Sequence, residues 1–80
     1  MQLIQGNFSK KDAIEIITQM IHVKIKFHEN KINSQSSEED IKMRERRITQ
    51  LQKDLYEARI KIEQSSKKEF TLNSELLIDE

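Results

Sequence analysis

The side chains of this sequence that could do chemistry are two histidines, one short basic run, and serines and carboxylates scattered along the chain. His22 and His28 stand six residues apart. On a helix that spacing turns them roughly 120° away from each other. They cannot hold one metal ion as an i, i+4 pair would. His22 reads as a surface residue and His28 as one at the edge of an apolar face, and no metal or cofactor is expected. The basic run is Lys42-Met43-Arg44-Glu45-Arg46-Arg47. Lys42, Arg44, Arg46 and Arg47 are the candidate contacts for an anion or a nucleic-acid backbone. Glu38 and Asp40 lie four residues before Lys42 and Arg44, and Arg46 and Arg47 point about 100° apart on a helix. No aromatic residue interleaves to stack a base, and neither helix-turn-helix spacing nor a glycine-rich phosphate loop is present. Nucleic-acid binding is therefore the second reading. Serines gather in a linker and at helix ends, with no glycine-flanked nucleophile turn. The carboxylates lie along charged faces with no pair set in a pocket. The chain is expected not to be an enzyme.

Composition limits what can position these groups. Eighty residues make one domain at most. There is no cysteine, tryptophan or proline, and one glycine. That removes thiolate metal sites, disulfides and a cysteine nucleophile, and it favours long uninterrupted helix. Fourteen basic residues balance 14 acidic ones, but unevenly. Residues 37–68 carry nine basic and seven acidic groups, whereas 69–80 carry Glu69, Glu75, Asp79 and Glu80 and no base. No apolar run approaches the ~18 residues of a membrane span, and Met-Gln-Leu-Ile-Gln-Gly lacks the form of a secretory signal. The expected location is cytoplasmic.

The order of elements follows from caps and periodicity. Residues 1–8 read as a short extended segment. Ser9 is a good N-cap with Asp12 at the capping-box position, so helix 1 is placed at 9–33. Asn33-Ser34-Gln35-Ser36-Ser37 is the one polar linker, centred on 34–37. Ser37 followed by Glu38-Glu39-Asp40 is a second cap with three acids at the positive end of a helix dipole, and helix 2 is placed at 38–66. Residues 67–80 form an acidic tail. Phe70 and Leu72 alternate there as in a strand, and the tail could pair with the N-terminal segment, form a short helix or stay mobile.

Helix 1 carries apolar residues from Ala13 to Ile32 over an arc of roughly 200°, about twice the stripe of an ordinary surface helix. Helix 2 has a narrower seam at 3–4 spacing: Ile41, Arg44, Ile48, Leu51, Leu55, Ala58 and Ile62. The short linker folds the two back to back, with residue i near 70 − i. The expected fold is all-α: an antiparallel, coiled-coil-like two-helix hairpin with short extended or irregular termini. One neighbour covers only half of helix 1. A patch left open on that scale marks an interface, so the hairpin is expected to form a homodimer as a four-helix bundle. The expected dimer interface is Ile16, Ile17, Met20, Val23, Lys24 and Phe27.

The expected function is a non-catalytic protein–protein interaction or scaffolding module that self-associates. The alternatives are a small nucleic-acid-associated regulator and an accessory subunit whose open face belongs to a different protein. The partner's identity is not written in the sequence. Lys24 and Arg44, charged at apolar positions, must reach solvent or a partner, and such residues can also fix register. If the helix 2 seam is buried, Ile48→Ala or Leu51→Ala should cost ~2–4 kcal/mol in denaturant unfolding.

Overall fold

Strand, helix, helix and strand follow one another along the chain: β1 (Gln2–Ser9), α1 (Lys10–Lys31), α2 (Glu38–Gln64) and β2 (Glu69–Glu75). The computed structural model describes residues 1–79; Glu80, the last residue of the acidic tail, lies outside the described residues.

Local chemistry sets each boundary. Ser9 is both the last residue of β1 and the N-cap of α1, its hydroxyl accepting from the Asp12 amide at 3.2 Å. A strand thus passes into a helix with no loop between. Ile32, in an extended conformation, ends α1. The turn is held by its own side chains. Ser36 Oγ accepts from Asn33 N and donates to the Lys31 carbonyl, while Asn33 Oδ1 accepts from Gln35 N at 2.8 Å. Ser37 then caps α2 by accepting from the Asp40 amide, with Glu38, Glu39 and Asp40 in the first turn, where the dipole favours them.

The two helices run antiparallel. Arg44 meets His28 near the turn, and Lys10 donates to the Glu63 carbonyl at the far end. The residue numbers in these pairs total 72 and 73, close to the 70 set by a fold at Gln35. On α2, Ile41, Arg44, Ile48, Leu51, Leu55 and Ala58 are half-buried and Ile62 is buried. Half-burial places the Ile48 and Leu51 truncations at the low end of the range given above.

The all-α expectation is overturned. β1 and β2 pair antiparallel, with Phe8 opposite Phe70, Gly6 opposite Leu72 and Ile4 opposite Ser74, and with an irregularity between Gln2 and Ile4. Every second residue is half-buried: Ile4, Gly6 and Phe8 on one strand and Phe70, Leu72 and Ser74 on the other. This period of two defines one inward face against α1. The outer face is polar apart from the exposed Leu3 and carries a Thr71 hydroxyl donating to Asn7 Oδ1 at 2.7 Å. The ribbon takes up part of the wide α1 arc that had been assigned to a second hairpin. A pure helical hairpin assembling as a coiled-coil four-helix bundle therefore does not describe this chain. The reason is that the alternation at 70–74 is short and its partner strand lies more than 60 residues away in sequence.

Ribbon, α1 and α2 form a thin body with principal extents of 47 × 33 × 13 Å. Among the described residues only Ala13, Ile25 and Ile62 are buried, and no large side chain is fully enclosed.

Gly6 has φ of +145° in the middle of β1, a region that L side chains rarely adopt. A Cβ there would meet only the Phe8 ring at 3.8 Å, an ordinary contact. The restriction is therefore in the backbone. Gly6→Ala is expected to destabilise the chain by ~1–3 kcal/mol, read as a lower urea midpoint with helix content retained below the transition.

Candidate interaction face

The six residues expected to form a dimer interface divide into two groups. Ile16, Ile17 and Met20 are half-buried and face the ribbon. With Ile4, Leu72, Asn73 and Ser74 they line a crevice of ≈ 220 Å³. Val23, Lys24 and Phe27 are exposed; Val23 keeps 69% and Phe27 55% of its surface. The division has a geometric cause. Ile16, Met20, Val23 and Phe27 share one stripe of α1, but β1 begins alongside the first turn of the helix and runs out of length. The last inward-facing residue of the strand is Ile4, about 16 Å from Ser9 at ~3.3 Å per residue. That reaches only to the level of about residue 21 of a helix rising 1.5 Å per residue. The proximal half of the stripe is thus a core against the ribbon, and the distal half is open.

Around the open half lie cations. Lys31 Nζ sits 5.5 Å from the Phe27 ring centroid, and the His28 ring packs edge-on to Phe27 at 5.5 Å. A shallow depression of ≈ 420 Å³ beside them is lined by Lys24, His28, Met43, Arg44, Arg47, Gln50, Leu51 and Asp54. Met43 is 51% exposed. Arg44, at its seam position, is half-buried and directs Nη1 to His28 Nδ1 at 3.1 Å. A guanidinium can only donate, so in this contact His28 Nδ1 is the acceptor. The sequence offered Arg44 solvent, a partner chain or Asp40 four residues before it. The fold-back mapping puts it opposite residue 26, so His28 was within reach of that argument.

The four cations of the basic run do not converge. Lys42 pairs with Glu38 at 3.3 Å, an exposed i, i+4 bridge worth a few tenths of a kcal/mol. It is the one ion pair among the described residues. Arg44 is engaged with His28. Arg46 lies with Lys42, Glu45, Thr49 and Gln50 around one depression, and Arg47 with Lys24 and His28 around another. His22 lines a third, of ≈ 480 Å³, with Glu29, Tyr56 and Arg59 among its neighbours, so the two histidines look into different spaces. No group of three or more His, Asp or Glu side chains among the described residues is placed to hold a metal ion. No helix among them is long and apolar enough to cross a membrane.

The sequence shows Leu76-Leu77-Ile78 in the acidic tail but assigns this apolar run no role. Leu77 and Ile78 are 75% and 77% exposed. Three consecutive apolar residues between Glu75 and Asp79 were visible as a signal. What they lacked was a strand ending just before them.

Comparison of the chain with protein-family models, with curated proteins and with solved structures returns no significant match.

Lys42 and Arg46 share one depression and Lys24, Arg44 and Arg47 another, so a nucleic acid on one side meets about three cations at most. A duplex DNA titration is expected to give a log–log salt slope no steeper than about −2.7, at ~0.9 per phosphate. A slope beyond about −3.6, all four cations acting together, would restore the nucleic-acid reading.

Proposed function

We propose that this chain is a non-catalytic protein–protein interaction module that works by self-association as a homodimer. The observation that carries this reading is its surface. The chain exposes 6798 Å², whereas a compact monomer of 9.5 kDa exposes about 5,000 Å². The excess is on the order of 1,700 Å², about twice what each partner contributes to a standard interface. The radius of gyration agrees: 15.4 Å against ~11.6 Å for 80 residues packed as an ordinary domain. Domains bury their apolar faces around a core, and a second copy would cover the part of α1 that the ribbon and α2 leave open. Closed two-fold dimers are the commonest such solution.

Such a dimer differs from a bundle of four helices. The ribbon lies against Ile16, Ile17 and Met20, so the part of the α1 stripe left for a partner is Val23 and Phe27. Each such side chain contributes ~1.5–3 kcal/mol if fully buried. The polar groups around this face are cations next to apolar side chains, which suits recognition.

Sedimentation equilibrium tests the reading. Purified chain at tens of micromolar is expected at twice the 9.5 kDa chain mass. Phe27→Asp is expected to weaken association with helix content unchanged, because Phe27 is exposed in the single chain. Met20→Asp is expected to unfold it, because Met20 packs on the ribbon. A well-folded wild-type monomer at high micromolar concentration would overturn the proposal. Aggregation of the wild type, relieved only by a different protein, would replace it with the accessory-subunit reading.

A further inference from the structure

The segment that follows β2 and the open half of α1 are complementary, and they lie at the same end of the molecule. Pairing in the ribbon ends at Gln2 opposite Glu75, and Met1 and Leu76 close it by exchanging two further bonds, Leu76 N–H to the Met1 carbonyl at 2.8 Å and the Met1 ammonium to the Leu76 carbonyl at 3.2 Å. Beyond those bonds Leu77 and Ile78 stand out more than any other large apolar side chains among the described residues. Glu75 and Asp79 flank them, and the sequence continues with Glu80. This is a short apolar strip edged by acid. The open half of α1 is an apolar strip edged by base: Val23 and Phe27 one helical turn apart, with Lys24 and Lys31 on the same helix and Arg47 on α2 beside Lys24. None of these three cations is in an ion pair with an acid among the described residues.

Resting on the self-association proposed above, we propose that the Leu76–Asp79 segment of one copy docks on the Val23–Phe27 face of a second copy, and the reverse. Leu77 and Ile78 cover Val23 and Phe27, and the flanking carboxylates meet Lys24, Lys31 and Arg47. The strand and helix rises place the open end of the ribbon level with about residue 25 of α1. With segment and receiving face at one end, a single two-fold axis satisfies both junctions at once and closes the assembly. Folding the segment onto its own α1 would hide Leu77, Ile78, Val23 and Phe27 and nothing more, leaving most of the excess exposed area. The occupant is a second copy, because reciprocal docking hides the same four side chains in each chain and also brings the two thin bodies together.

The chain has no cysteine, which makes the test direct. Phe27→Cys and Ile78→Cys chains are prepared separately, mixed, and oxidised mildly. The three disulfide-linked dimers differ in mass and are counted by mass spectrometry. Docking predicts that the mixed Phe27→Cys/Ile78→Cys dimer forms at least ~10-fold faster than either symmetric dimer, because only that pair falls within disulfide distance. A chain carrying both substitutions is expected to give a covalent dimer. An intrachain disulfide in that chain, with no covalent dimer, would mean the segment lies on its own α1 and would overturn the proposal. As a second readout, the Leu77→Asp/Ile78→Asp chain is expected to dimerise at least ~10-fold more weakly than wild type with its circular dichroism spectrum unchanged. If the wild type sediments as a dimer but neither the mixed cross-link nor this loss is seen, the docking is wrong and self-association stands. A folded wild-type monomer removes both.

Discussion

Pairing of Gln2–Ser9 with Glu69–Glu75 is the interaction on which the rest of this structure depends. Its partners lie at opposite ends of the described chain, so everything between them is a loop that the pairing must close. The entropic cost of closure grows only logarithmically with length. Even so, a flexible connection of about sixty residues would be a poor substitute for the two stiff helices that fill it. Because Ser9 is at once the end of β1 and the cap of α1, the strand has no slack relative to the helix, and α1 fixes where β1 lies. Because α2 returns antiparallel beside α1, it delivers β2 to the place where β1 waits. A two-stranded ribbon alone is marginal in water and needs a packed face. Ile4, Phe8, Phe70 and Leu72 find that face on α1, and α1 in turn loses half of an otherwise unpaired arc. Neither ribbon nor helix pair is self-sufficient.

The register of the helix pair is marked by polar contacts at its two ends. Lys10 to the Glu63 carbonyl and Arg44 to His28 lie on either side of an otherwise apolar seam. An aliphatic seam tolerates sliding by a turn, since one Ile or Leu replaces another at little cost. A guanidinium that must meet a ring nitrogen does not. A charge at a seam position trades stability for a single register, and half-burial keeps its desolvation cost modest because the rest of the guanidinium stays hydrated.

The thin shape sets the energetic character of the molecule. With three buried residues and none of the larger side chains fully enclosed, a chain of this size has little hydrophobic stabilisation of its own. In the proposed dimer, folding and association draw on adjacent parts of one α1 stripe, the first half against the ribbon and the second against a partner. Stability would then depend on protein concentration, as for other small assemblies whose core is completed between chains.

What was legible in the sequence is what is encoded locally. The caps at Ser9 and Ser37, the polar turn near Gln35, the seam from Ile41 to Ile62 and the excess width of the α1 arc all depend on residues within one or two helical turns of each other. Their signals repeat along the chain, and periodicity reports them. The ribbon is the opposite case. Alternation at Phe70, Leu72 and Ser74 is only a few residues long, and its meaning depends on a partner more than sixty residues away. The sequence could name pairing with the N-terminal segment but could not choose it over a short helix. The same missing fact is why the sequence grouped Ile16, Ile17 and Met20, which lie half-buried beside the ribbon, with Val23 and Phe27, which are exposed. Local spacing determined that α1 has more apolar face than one helix can cover. Only the tertiary structure decided where the cover stops, because that depends on the length of a strand measured against the rise of a helix, and the two meet only when the chain is folded.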